Sequence, residues 1–158
     1  MSPPLRLDPV APSQMARVAQ VRVAPEQEVF SGTVAEAFEE AEEGVDFHGI
    51  FEGDGAVGFF KIDRAYDTRY PFVPAGALGL RAFMVDHACQ GRGVATRAVR
   101  ALPAYLRAHY PGAQALYLTV NLANPAARRA YLKGGFEDTG AQWPHGMAGP
   151  QHILRLPL

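Results

Sequence analysis

The chain has 158 residues, 48% of them apolar, and a formal net charge of −1. That is enough apolar material for one core and too little bulk charge for general nucleic-acid binding. No apolar run reaches the roughly 20 residues of a membrane span, the opening Met1-Ser2-Pro3-Pro4-Leu5-Arg6 lacks a secretory apolar region, and the single Cys89 excludes a disulfide framework and a cysteine-based zinc site. The expectation is one domain over residues 1–158, cytoplasmic, with no nucleic-acid or membrane partner.

Leu5 to Val10 reads as a first strand, and Pro12 to Val23 as a short helix or turn. Pro25 to Glu43 is predicted as one helix, since Phe30, Val34, Ala37, Phe38 and Ala41 recur at helical spacing and Gly44 fits its end. Phe47 to Glu52 and Ala56 to Ala65, joined by Gly53-Asp54-Gly55, form a hairpin pattern. Tyr66 to Gly76 reads as a loop bordering a site. Ala77 to Asp86 is mostly apolar and therefore a central strand.

Gly91 to His109 is predicted as a helix, with Val94, Ala98, Leu102 and Leu106 at four-residue spacing and a kink at Pro103. Ala115 to Val120 is the next strand. Asn124-Pro125 starts another helix, asparagine as the cap and proline in the first turn. That helix places Ala127, Ala130 and Tyr131 on one face and stops at Gly134-Gly135. Phe136 begins a further strand, Trp143 falls in a late loop, and Ile153 to Leu156 is the last strand. The order describes an α/β or α+β domain with a mixed sheet.

Charge is segregated along the chain. Val23 to Phe60 holds ten acids and no Lys or Arg, whereas Arg81 to Lys133 holds eight Lys or Arg and a single acid, Asp86. Two readings stand: solvated faces of opposite sign, or a basic half for a polyanionic cofactor beside an acidic flank for a cationic substrate.

The most informative segment is Gln90-Gly91-Arg92-Gly93-Val94-Ala95-Thr96, which ends a strand and opens a helix. Glycine permits close backbone approach there, and the free N–H groups and dipole of a helix N-terminus suit a phosphate or pyrophosphate. Arg92 and Arg97 can add charge-assisted contacts. A dinucleotide fingerprint is set aside because Thr96 stands at the third glycine position, and a phosphate-binding P-loop because no Gly-Lys-Ser/Thr occurs.

The segment Gln90-Gly91-Arg92-Gly93-Val94-Ala95 resembles the Gln/Arg-x-x-Gly-x-Gly/Ala pattern of the GNAT superfamily of N-acetyltransferases. Asn124, Ala127, Tyr131, Gly135 and Phe136 fill the places of a second pattern of that family, in the same order. The resemblance implies a mixed, mostly antiparallel sheet of six or seven strands flanked by about four helices, with strands splayed at the cofactor site. It implies acetyl-coenzyme A as cosubstrate, with the diphosphate on residues 90–96 and the pantetheine arm along the backbone of Met84 and Val85. Asn124, Ala127 and Lys133 complete the expected contacts. Tyr131 takes the role of general acid toward the departing thiolate, and a homodimer is implied. The acceptor is a primary amine of a small molecule, with a polyamine or diamine suggested by Leu80-Arg81-Ala82-Phe83-Met84-Val85-Asp86 and by the acidic segment. A protein amine as acceptor and a non-catalytic acyl-coenzyme sensor are the alternatives.

The central strand lacks the Glu that many members of the family use as base, leaving Asp86, His87, Glu137 or a water chain. Cys89, two residues from His87, reads as a small apolar residue rather than a nucleophile. His48, His109, His145 and His152 show no metal-ligand spacing, so no metal is expected.

Overall fold

The computed structural model describes residues 4–158. Met1-Ser2-Pro3, at the start of the segment read above for a secretory pattern, lie outside the described residues. Seven strands form one sheet: β1 (Leu5–Val10), β2 (Val45–Glu52), β3 (Gly55–Asp63), β4 (Leu78–Val85), β5 (Ala115–Asn121), β6 (Glu137–Trp143) and β7 (Gln151–Pro157), in the order β1-β2-β3-β4-β5-β7-β6. Every neighbouring pair is antiparallel except β4 with β5. The helices are α1 (Glu28–Ser31), α2 (Val34–Glu39), α3 (Tyr66–Arg69), α4 (Val94–His109) and α5 (Pro125–Gly134).

Strand alternation sorts the apolar residues onto two faces. One face carries Phe60, Ile62, Leu80, Leu116, Leu118 and Leu154, packed under Val99, Leu102 and Leu106 of α4. The other carries Phe47, Phe59 and Met84 under Val34 and Ala37 of α2. Further along that second face, Tyr66, Val73, Tyr117 and Ile153 pack with Tyr70, Phe72 and Trp143.

Several boundaries differ from the sequence reading. The expected helix over 25–43 is broken: a 3-10 turn at Pro25–Gln27, then α1, then α2. Gly32 interrupts it at φ 72, where Thr33 starts a new helix by accepting the Glu36 N–H. Of the residues whose spacing suggested one helix, Val34, Ala37 and Phe38 of α2 pack on the sheet, whereas Phe30 and Ala41 are exposed. Residues 66–69 of the expected loop form α3. Trp143 ends β6 rather than lying in a loop. The helix expected from Gly91 begins at Val94 and continues through Pro103.

Candidate active site

The site begins with an irregularity in β4. Its register with β3 runs Gly58 to Val85 and Phe59 to Met84, then jumps to Lys61 and Arg81, so Ala82 and Phe83 oppose Phe60 alone. This is a β-bulge. Ala82 sits at φ 51, the single positive-φ residue other than glycine among the described residues. Because of the bulge, consecutive Arg81 and Ala82 face the same side: Arg81 bonds Asp63, and Ala82 packs against the cluster of Met84 and Phe59. Phe83 is thereby turned to the opposite face, where its ring meets that of Tyr131 edge-on at 5.7 Å.

Beside the bulge the sheet opens. β4 and β5 pair only at Leu78–Leu116 and Gly79–Tyr117. Beyond that point the β5-facing edge of β4 has no strand partner. The Asp86 N–H donates to Val57 on β3 at 2.8 Å. Peptide groups alternate sides along a strand, so those of Val85 point into the opening and those of Met84 point to Phe59. The Val85 carbonyl accepts from the Gln90 side-chain amide at 3.1 Å. Of the two residues expected to hold a pantetheine arm by their backbone, Val85 thus faces the opening while Met84 belongs to the β3 ladder.

Gln90 joins three segments, since its amide also donates to Gln27 at 3.0 Å. Gly91 and Gly93 take φ 82 and 75, and the positions where their Cβ atoms would lie are open space. The first bond of α4 runs from the Arg97 N–H to the Gly93 carbonyl at 3.0 Å. The N–H groups of Val94, Ala95 and Thr96 therefore have no acceptor in the helix, and no side chain among the described residues caps them. Arg92 and Arg97 both reach Glu52, at 2.8 and 3.2 Å. Burial alone would raise the Glu52 carboxyl, but the hydrogen bonds from Arg92 and Arg97 outweigh it and hold the group below its usual range. Cys89 is half-buried against the main core.

On α5, the Asn124 carbonyl oxygen caps the helix by accepting the Ala127 N–H at 3.4 Å, and Ala127 packs on the main core. Tyr131 lies two turns further on, half-buried, edge-on to both Phe83 and Phe136. Its hydroxyl has no hydrogen-bond partner among the described residues, and burial pushes the phenol well above its ordinary range. Lys133 is exposed at the end of α5, where Arg100 of α4 reaches its carbonyl at 3.4 Å.

The three base candidates separate. The Asp86 carboxylate accepts the N–H groups of Arg22 at 2.9 Å and Ala88 at 3.2 Å, so it braces the chain. Glu137 is exposed on edge strand β6 and paired with Arg155 at 3.6 Å. His87 lines a cavity of about 560 Å³ with Met84, Arg22, Glu28 and Thr33, on the sheet face opposite Tyr131. On the same face Trp143 packs edge-on to Tyr70 at 5.3 Å and tilted against Phe72 at 5.7 Å.

The acidic and basic halves of the sequence do not form separate surfaces. Arg81 pairs with Glu42, and Arg92 and Arg97 with Glu52. A second cluster was not anticipated. Asp63, fully buried, accepts from Arg69 at 2.6 Å and Arg81 at 3.1 Å, next to nearly buried Lys61. Its signal in the sequence was a Lys and an Asp two residues apart inside the apolar run Gly55–Asp63. Among the described residues no group of three or more His, Cys, Asp or Glu could hold a metal ion, and no helix is long and apolar enough to cross a membrane.

A parallel pair of strands parted at the foot of an uncapped helix is what the resemblance to the GNAT N-acetyltransferases implies for the cofactor site. A sequence model described as the acetyltransferase (GNAT) family matches residues 15–136. The chain is 33% identical over 110 residues to an uncharacterized N-acetyltransferase, YbbJ, of Bacillus subtilis (strain 168), a match spanning 66% of this chain and 66% of that protein. The fold is similar to that of aminoglycoside acetyltransferase AAC(6')-Ib in complex with coenzyme A and kanamycin, with a TM-score of 0.78 at 20% identity over 98% of this chain and 95% of that one. It is also similar to a chimera of the spermidine N-acetyltransferase SpeG from Vibrio cholerae and hSSAT, with a TM-score of 0.69 at 14% identity over 97% and 95%. The chain belongs to the acetyltransferase (GNAT) family, whose acyl donor is acetyl-coenzyme A. The residues present fit that donor: open space over two left-handed glycines, three uncapped N–H groups, an unpaired strand edge, and the half-buried Tyr131 phenol beside Phe83 of that strand.

Proposed function

We propose that this chain, as a single catalytic domain, transfers the acetyl group of acetyl-coenzyme A to a primary amine of a small molecule. The observation that carries the reading is the meeting of three features at one opening: the uncapped start of α4, the free Val85 edge of β4, and the Tyr131 phenol. The N–H groups of Val94, Ala95 and Thr96 bind the diphosphate, with Gly91 and Gly93 letting it approach. Asn124 and Ala127 act by starting α5 in the orientation that brings Tyr131 to the opening; Lys133 adds a cation at the far end of that helix. The Val85 N–H lies where it can bond the pantetheine arm or polarise the thioester carbonyl.

The neutral amine attacks the thioester carbonyl, the C–S bond breaks, and Tyr131 gives its proton to the departing sulfur. A phenol raised by burial is a weaker acid, yet the same dry surroundings raise the pKa of the thiol it protonates, so the transfer stays nearly matched. The amine enters from the opposite sheet face through the cavity beside Met84 and sheds its own proton to water there, with His87 as the nearest candidate carrier. A polyamine or diamine acceptor draws support from Glu28 at that cavity and from Glu39, Glu40 and Glu43, which have no arginine partner among the described residues. A homodimer rests on the resemblance to the family, and residence in the cytoplasm on the composition and the single cysteine.

The test is release of free thiol from acetyl-coenzyme A with a panel of mono-, di- and polyamines. Amine-dependent release supports the proposal. Tight coenzyme binding with no release from any amine, peptide amines included, replaces it with an acyl-coenzyme sensor.

A further inference from the structure

Glu52 ends β2 beside the Gly53-Asp54-Gly55 turn, far in sequence from the phosphate turn, yet it takes Arg92 of that turn and Arg97 of α4. Its two carboxylate oxygens are shared out, Oε1 to Arg92 at 2.8 Å and Oε2 to Arg97 at 3.2 Å. The carboxylate lies behind, with a side-chain exposure of 6%, while Arg92 and Arg97 stand forward at 46% and 30%. Two guanidiniums draw together around one anion, at the N-terminus of α4 whose N–H groups are uncapped.

We propose that Glu52 is a resident anion of the coenzyme site, which competes with the coenzyme's diphosphate for Arg92 and Arg97 and so sets its affinity. The inference rests on residues 90–96 as the diphosphate site. With Glu52 ionised, the three side chains carry a net charge of +1; with a neutral group of the same shape they carry +2. A guanidinium has five N–H donors, so each arginine can keep one on Glu52 while offering others outward, or leave it for the stronger anion. Either way the Glu52 charge opposes that of the incoming phosphates. The device favours release of spent coenzyme over tight retention.

The experiment is calorimetric titration of Glu52→Gln with coenzyme A, and with pantetheine, which lacks the diphosphate. Glutamine keeps the shape and one acceptor oxygen and removes the charge. The expected result is coenzyme A binding about three- to tenfold tighter, pantetheine binding unchanged, and a gain that shrinks when Arg92→Met is added. Thermal unfolding of each variant identifies any loss of fold, and Glu52→Asp, which keeps the charge, should bind coenzyme A within about twofold of the original chain. Unchanged or weaker coenzyme A binding in folded Glu52→Gln, or an equal shift for pantetheine, overturns the inference and leaves the proposed function standing. Failure of the original chain to bind coenzyme A overturns both.

Discussion

Gly134 of α5 and Val99 of α4 touch with no room for a methyl group between them: a Cβ on Gly134 would collide with the Val99 side chain. Gly134 lies in the last turn of α5, three residues after Tyr131. This contact fixes the separation of the two helices and hence where the phenol stands relative to the start of α4. Glycine inside a helix normally costs about 0.5–1 kcal/mol relative to alanine. Here the sign should reverse, because forcing a methyl into packed space costs about 1–3 kcal/mol. Gly134→Ala should therefore lower stability in urea denaturation and reduce turnover together. A stabilised Gly134→Ala would show that the helices are free to part.

Ala82 should respond in the opposite sense. Its φ of 51 is a left-handed conformation that costs an L-residue roughly 1–2 kcal/mol. Ala82→Gly should escape the usual strand penalty and leave stability unchanged or up to about 1 kcal/mol higher. Ala82→Val, β-branched at the same φ, should lose about 2 kcal/mol. Thermal unfolding measures both. A clear loss in Ala82→Gly would contradict a strained bulge.

The bulge also explains what the sequence could and could not tell. Strands and their order were legible, because alternating and continuous apolar runs report burial directly. Asn124-Pro125 announced a helix start because cap chemistry is local. The role of Gly134 was half legible: the Gly-Gly pair marks a helix end, and Gly135 at φ 122 is that end, but Gly134 is there for a contact with a helix about 35 residues away, which no local pattern encodes. The same holds for the charges. Acidic and basic halves looked like two surfaces because sequence distance hides that Glu52, next to a hairpin turn, lies under Arg92 and Arg97. A bulge at Ala82 left no trace, since alanine is not a residue that advertises a left-handed backbone.

His48 gives the chain an acid-sensitive joint. Its ring is 2% exposed, stacked on Phe60, and held by two phenols: the Tyr105 hydroxyl at 2.6 Å on Nδ1 and the Tyr110 oxygen at 2.8 Å on Nε2. Tyr110 gives its own proton to Asp46 at 2.7 Å, so Nε2–H donates to Tyr110, and the neutral ring that burial favours accepts the Tyr105 O–H at Nδ1. Burial lowers its pKa from 6.5 to about 4, with Asp46 opposing and His109 adding to the fall. The unfolded chain takes up this proton near 6.5 and the folded chain only near 4. The stabilisation is thus complete above 6.5 and is lost as pH falls toward 4, by about 3 kcal/mol in all. Stability measured by denaturant between pH 7 and 4 should fall accordingly, and less steeply in His48→Phe. A His48 ring that titrates near 6.5 in NMR would contradict the joint.

Asp63 anchors the charges on the other face. It accepts from the Ala65 N–H at 2.9 Å as well as from Arg69 and Arg81, with no exposed surface of its own. Asp63→Asn should take the Asp63 carboxylate from Arg69 and leave Arg81 with Glu42 alone, beside Lys61. Both arginines are about a third exposed, so solvent limits the loss to about 2–3 kcal/mol. Denaturant unfolding checks this, and a change under about 0.5 kcal/mol would mean that the cluster is held together by packing alone.

The most direct measurement is the turnover of Tyr131→Phe with acetyl-coenzyme A and an accepted amine, set beside its coenzyme affinity. Phenylalanine keeps the edge-on contacts with Phe83 and Phe136 and removes only the hydroxyl. A phenol that protonates the leaving sulfur predicts kcat lower by about 10²–10⁴-fold with coenzyme affinity within about twofold of the original. Undiminished kcat would take Tyr131 out of the chemistry and contradict the account.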